Sequence, residues 1–262
     1  MRTALRRVLV LGPAGVWLAV FFLAPMALVA QYSFATRDLG ILRVVLPWTT
    51  QAYRSVLDPA FLPIFGRTVL YAGLTTVICL LLGFPLAWFI ARHGGRWRLV
   101  LLAAVLIPFW SSFLARIYAW KALLDDTGFL FTDGAVILGL SYGFLPFMVL
   151  PLYVACERMD YRQVEASYDL GHGRLSTFWH VVLPGVAPGV LAGSLLVFVP
   201  AAGDFVTPKL LGGVDQSTFG SVIDDQFRGG NNWPLGSAMA VVLLGLVVIV
   251  LIVRGKRGED VL

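Results

Sequence analysis

Residues 8–35 carry no charged side chain, and five more long apolar runs follow. A run of about 20 apolar residues matches the hydrocarbon thickness of a bilayer. Inside lipid, a chain that is not a closed barrel must be helical to satisfy its backbone. We therefore expect an all-α membrane protein of six transmembrane helices, over about 8–34, 68–91, 99–120, 135–156, 186–203 and 234–253. Composition agrees. The 262 residues are 58% hydrophobic and 13% charged, against about 45–50% and 25% in soluble domains. That excludes a disordered chain, a collagen-like chain and a disulfide scaffold, and leaves no room for a large soluble domain. The whole chain, 1–262, reads as one membrane domain.

Charge sets the expected orientation. The segments 1–7, 92–98, 157–183 and 254–262 hold 12 of the 20 Lys and Arg, and the longer opposite segments hold 8. Basic residues concentrate on the cytoplasmic side, which predicts both termini in the cytoplasm. The first run is longer than the apolar core of a signal peptide, and Leu28-Val29-Ala30 is a poor cleavage site. It reads as an uncleaved first helix. The net charge of +5 thus follows from topology, and no basic, aromatic-interleaved stretch points to nucleic acid.

Several chemistries are missing from the sequence. There is no phosphate-binding G-x-x-x-x-G-K-[ST] loop and no H-E-x-x-H zinc motif. Cys79 and Cys156 lie in apolar runs without partners at metal-ligand spacing. His93, His172 and His180 all fall outside the expected spans, so no metal site is expected. Asp169 and Asp204 fall on opposite sides of the membrane and cannot share a proton as an aspartyl dyad does. A self-sufficient secondary transporter would show internal repeats and ionisable groups near span centres, and neither is evident. Eight prolines (Pro13, Pro25, Pro85, Pro108, Pro146, Pro151, Pro188 and Pro200) lie in or beside apolar runs. Each removes a backbone donor and can kink its helix, which favours a protein that bends over a static anchor.

The longest cytoplasmic loop, 157–183, carries the most specific pattern. Val164, Tyr168 and Leu175 are spaced to share one helical face, and Gly171 can end a short helix. A helix over about 163–175 suits either docking into a groove on a soluble partner or lying at the lipid headgroups.

Within this loop stand Glu165-Ala166-Ser167, then Gly171, then Val181, Leu183 and Pro184. The pattern resembles the E-A-A, G, I-x-L-P signature of permease subunits of type I ABC importers, with every spacing matched. Ser167 replaces an alanine and Val181 an isoleucine. Across the chain, Tyr32-Ser33-Phe34, Leu57-Asp58-Pro59, Leu82-Gly83-Phe84-Pro85, Pro108-Phe109-Trp110 and Trp233-Pro234-Leu235-Gly236 are similar to the first permease subunit of spermidine/putrescine importers. The connection 124–134 is shorter than usual for that subunit.

The resemblance implies a non-catalytic membrane subunit in a bacterial inner membrane, moving polyamines by alternating access. Its implied partners are a second permease, two copies of an ATPase that binds ATP and Mg, and an extracytoplasmic binding protein. It assigns coupling to the ATPase to Glu165, Ala166, Ser167, Asp169, Gly171, Leu183 and Pro184. Glu165 would pair with a basic residue of the ATPase, Gly171 would shape the helix end, and Leu183-Pro184 would set the turn into the fifth span. Asp204, at an outer helix end, is a candidate for attracting ammonium groups, or else simply a helix-end carboxylate. Phe109, Trp110 and Tyr118 are candidates for cation–π contact with such a solute, or for interfacial anchoring. Related importers of other small solutes share much of the pattern.

Overall fold

The computed structural model describes residues 12–13, 15–38, 43–45 and 48–259. Residues 8–11, the basic residues Arg2, Arg6 and Arg7, and the last three residues lie outside that description. Apart from one short hairpin, the described residues fold into helices. They divide into two compact units, one of 1–63 and 222–249, the other of 64–221 and 250–262.

The first unit opens with α1 (Gly15–Tyr32). A hairpin of β1 (Thr36–Asp38) and β2 (Arg43–Val45) follows, with Thr36 opposite Val45. Next comes α2 (Gln51–Val56). The Ser33 hydroxyl lies 2.8 Å from the Tyr53 hydroxyl and donates to the Ala30 carbonyl, pinning α2 to the end of α1.

The second unit holds most of the long helices. These are α3 (Leu62–His93), α4 (Arg98–Leu106), α5 (Phe113–Leu124) and α6 (Asp133–Arg158). A two-turn helix, α7 (Arg162–Asp169), precedes α8 (Arg174–Thr177) and α9 (Leu183–Gly203). Then come α10 (Val206–Leu211) and α11 (Phe219–Arg228), whose last residues belong to the first unit. The chain closes with α12 (Trp233–Glu259).

Among the described residues, four helices are long and apolar enough to cross a membrane: Gly15–Tyr32, Pro59–His93, Asp133–Arg158 and Arg174–Gly203. A fifth crossing is possible in length and composition if α4 and α5 count together, and the described apolar part of α12 is the shorter Trp233–Ile249. The expected span 99–120 is not a straight rod. Its halves, 95–110 and 113–127, meet at 85°. Pro108 starts the interruption, and Ser111 and Ser112 have extended backbone. The Pro108 carbonyl, left without a helical N–H, accepts from the Arg116 guanidinium. The Ser111 hydroxyl donates to the same carbonyl at 2.7 Å, so two side chains satisfy an acceptor that would be costly to leave bare in hydrocarbon.

Proline also explains two widened turns. A π-helical turn covers Ala19–Leu23 ahead of Pro25, and another covers Phe178–Val182 ahead of Pro184. Proline clashes with the carbonyl four residues earlier, and a wider turn relieves that clash. Hence Leu183-Pro184 sets no turn before the expected fifth span. The helix runs unbroken from Arg174 to Gly203.

Small side chains line many of the close helix contacts, around a core that also holds Tyr71, Ile90, Leu140, Met148 and Leu152. The buried face of α3 is Thr68, Tyr71, Ala72, Thr75, Cys79, Gly83, Ala87 and Ile90, at steps of three and four. Its exposed residues include Leu70, Val77, Leu81, Leu82 and Phe89. α6 is the central helix, with more than half of its apolar window buried. It packs along α9 at glycines. A Cβ on Gly189 would lie 2.4 Å from Ala155 Cβ and 2.7 Å from the Pro151 carbonyl oxygen. Small residues let membrane helices approach this closely. Gly189→Val is therefore expected to destabilise the detergent-solubilised protein by about 1–3 kcal/mol, the usual cost of overpacking. Gly73→Ala, which meets nothing within 4 Å, should leave the melting temperature unchanged.

Candidate functional site

The loop between α6 and α9 folds on itself in a way its sequence explains. Asp160 accepts from the Arg162 amide at 3.0 Å, which turns the chain into α7. Val164 and Ser167 face inward and are buried. Val164 packs with Cys156, Met159, Val182 and Val186. Glu165, Ala166, Tyr168, Asp169 and Leu170 are exposed. α7 is thus a short amphipathic helix whose outer face carries the carboxylates.

α7 ends at Asp169, so the segment 163–175 is not one helix. Gly171 takes φ +83°, a conformation that side chains with a Cβ rarely adopt. The His172 amide donates to the Ser167 carbonyl and the Gly171 amide to the Tyr168 carbonyl. These two bonds form a Schellman cap. Leu175 consequently belongs to α8. Val164 is buried while Tyr168 and Leu175 are exposed, so the three do not form one buried stripe.

Ser167 is a tie rather than an exposed contact. Its hydroxyl lies 3.0 Å from Thr177 Oγ1 and 3.3 Å from His172 Nδ1. The serine that stands in place of alanine therefore stitches α7 to α8. Leu183 is half-buried and Pro184 exposed on the continuous helix beyond.

The four pathway candidates do not converge. Asp204 lies one residue before the N-cap of α10, where it accepts from the Val206 amide at 2.9 Å and from the Thr207 hydroxyl. Burial raises its pKa, while these hydrogen bonds pull the other way. Phe109 packs edge-on against Phe147, ring centroids 5.1 Å apart, with the Arg116 guanidinium 4.8 Å over its face. Trp110, 88% exposed, marks the break between α4 and α5, and Tyr118 is exposed on α5. Among the described residues, no hydrogen bond or ring contact joins Asp204 to the three aromatics. No cluster of three or more metal-ligating side chains occurs among them either.

Residues 9–255 match the family described as binding-protein-dependent transport system inner membrane component. The chain belongs to that family. This permease is 38% identical over 260 residues to the spermidine/putrescine transport system permease protein PotB of Haemophilus influenzae, covering 93% of this chain and 91% of that one. It is 37% identical to PotB of Escherichia coli K12 (89% and 92% covered). It is 30% identical to the inner membrane ABC transporter permease protein YdcU of the same organism (95% and 88%). Its fold is similar to a chain of the bacterial ABC transporter that imports the acidic polysaccharide alginate, at a TM-score of 0.75 and 14% identity, covering 99% and 98%. The MetNI methionine ABC transporter in inward-facing conformations gives 0.62 at 16%, covering 79% and 100%.

Three features of the permease escape its sequence pattern. Arg116 reads as an outer basic residue but braces the broken helix. Arg98 reads as a topology charge but pairs with Glu157 at 2.6 Å, tying α4 to the end of α6. Arg92 also reads as a topology charge, yet its guanidinium lies on the Tyr161 ring. Pro108 followed by two serines was the available signal for the break; the two arginine contacts join distant segments and have no local signal.

The cap at Gly171 makes a direct prediction. Gly171→Ala forces an L side chain into the left-handed region at about 1–2 kcal/mol. Limited proteolysis of the purified permease within 157–183 should then speed up by about 5–30-fold. Gly171→Asn, tolerated better in that conformation, should show a smaller change.

Proposed function

We propose that this chain is a transmembrane subunit of an ATP-driven polyamine importer, carrying spermidine or putrescine into the cytoplasm. The observation that carries the reading is the 36–38% identity, over 89–93% of the chain, to PotB permeases of several bacteria. In this reading the chain crosses the inner membrane six times with both termini cytoplasmic. A second permease completes the pathway, and two copies of an ATPase bind ATP and Mg below it. A binding protein delivers the solute from outside. Rigid-body movement of the permease helices alternates access.

α7 is the coupling helix of this scheme. Its exposed Glu165 meets a basic residue of the ATPase, with Ala166 and Asp169 on the same outward side. Ser167, Gly171, Leu183 and Pro184 act at one remove, by fixing where α7 sits. Amphipathic helices dock in grooves in this way, and the buried Val164 leaves the outer face for the partner.

On the solute side, Asp204 supplies the negative charge, and the exposed rings of Trp110 and Tyr118 are separate candidate faces for ammonium groups, whereas one face of Phe109 is already occupied by Arg116. The groove of about 600 Å3 between α6 and α9 is lined by apolar residues and Arg158. A cation in its lining disfavours it as a polyamine site.

Two variants test the reading in the reconstituted importer. Glu165→Lys is expected to abolish spermidine uptake while the protein remains in the membrane, and normal uptake would remove the coupling role. Asp204→Asn removes the charge and one acceptor oxygen together, because the Val206 amide and the Thr207 hydroxyl donate to different oxygens of the carboxylate and an amide offers only one. Uptake should weaken by about tenfold, the scale of a lost charged hydrogen bond, with ATPase binding intact. Mass spectrometry of gently solubilised native membranes should recover an ATPase, a second permease and a binding protein with the chain. Repeated recovery of the chain alone would favour a stand-alone transporter.

A further inference from the structure

The chain enters α7 through Tyr161, and the Tyr161 ring carries a cation. Arg92, in the last turn of α3, places its guanidinium carbon 4.0 Å from the centroid of that ring. The Trp88 ring lies 5.2 Å from the same carbon. Arg92 Nη2 donates to the Met159 carbonyl at 3.5 Å. Its Nε is buried and makes no hydrogen bond among the described residues. The half-buried side chain is thus held by Trp88 of its own helix and by the ring of Tyr161 and the carbonyl of Met159 from the loop.

We infer that Arg92 is a positioning residue that fixes α7 to the end of α3, so that displacement of the coupling helix moves a membrane-spanning helix. The inference rests on the assignment of α7 as the ATPase contact. Three observations combine. Arg92 grips both residues that flank Asp160, the residue whose side chain starts α7. Ser167 and Thr177 hold the other end of α7 to the helix that continues into α9. Val164 is buried between these two ties. A helix fastened at both ends moves as one body with its fastenings, and Arg92 is the fastening on the α3 side. Lysine would not serve, because a compact ammonium lacks the planar face that can lie on the Tyr161 ring while an edge donates to the Met159 carbonyl.

The test uses the complete importer in proteoliposomes, with labelled spermidine uptake and ATP hydrolysis measured together. In Arg92→Gln and Tyr161→Leu, hydrolysis should continue while uptake falls. The ATP consumed per spermidine should rise by about tenfold, the scale of one desolvated cation–π contact. Tyr161→Phe keeps the ring and should stay within about twofold of the parent protein. The double variant Arg92→Gln/Tyr161→Leu should be no worse than the worse single, because both remove one shared contact. An unchanged ratio in Tyr161→Leu overturns the inference, as does a parallel fall of uptake and hydrolysis or multiplication of the two losses. Failure of the underlying assignment has a separate signature, normal uptake by Glu165→Lys. Failure of the Arg92 tie alone shows as unaffected Arg92 and Tyr161 variants beside an inactive Glu165→Lys.

Discussion

In hydrocarbon, a backbone N–H or C=O has no water to bond with, and each unsatisfied group costs several kcal/mol. Most of what is unusual in this permease follows from that constraint. Helices satisfy it along α3, α6 and α9. Pro85, Pro146, Pro151, Pro188 and Pro200 lie within continuous helix, and at three other prolines the chain adapts in two ways. Before Pro25 and Pro184 the helix widens by one π turn and continues. At Pro108 it breaks, and Ser111 and Arg116 both donate to the Pro108 carbonyl, the arginine while lying over the Phe109 and Phe113 rings. An arginine is suited to this because its plane can stack on rings while its edge donates. Two hydroxyls of α3 follow the same rule, Thr68 and Thr76 donating to the carbonyls four residues earlier, whereas the buried Thr75 hydroxyl between them makes no hydrogen bond among the described residues.

The same solvent inverts the usual packing logic. Large apolar side chains gain little by leaving lipid for a protein interior, so close helix approach depends on small residues and dispersion contact. α3 shows it, burying Ala72, Gly83 and Ala87 and turning Leu81 and Leu82 outward. α9 shows it at Gly189 and Gly193, the latter with room for a Cβ only 2.7 Å from Met148 Sδ. Such an exterior would be a severe aggregation hazard in water. As a surface for lipid and partner subunits it is the expected one.

What could be read from the sequence was whatever one segment encodes by itself. Apolar length announced membrane helices, and the order Glu165-Ala166-Ser167, Gly171, Leu183-Pro184 announced the loop and its family. Gly171 at a helix end was legible because left-handed backbone selects glycine locally. The extent of α7 was not, since the four-and-seven spacing of Val164, Tyr168 and Leu175 suits one long helix as well as two short ones. The effect of Pro184 was also misleading: proline at a helix start and proline after a π turn look alike in one dimension. The contacts Ser167–Thr177, Arg98–Glu157 and Arg92–Tyr161 join residues 10 to 69 positions apart. Their partners are decided by packing, which no local pattern carries.

α7 has eight residues, well short of the about 12–15 that an isolated helix needs to be even marginal in water. Its order must therefore come from tertiary contacts. Those contacts are few and specific: buried Val164, the Ser167 hydroxyl, the cap at Gly171 and the aromatic entry at Tyr161. A helix stabilised in this way cannot shift independently of α3 and the α8–α9 helix without losing the contacts that keep it helical. Rigidity at the loop and obligatory movement of the membrane helices are then one property. The side chains of Glu165, Tyr168, Asp169 and Leu170 on the outer side of α7 are exposed and take no part in those contacts, so they can vary without loosening the helix.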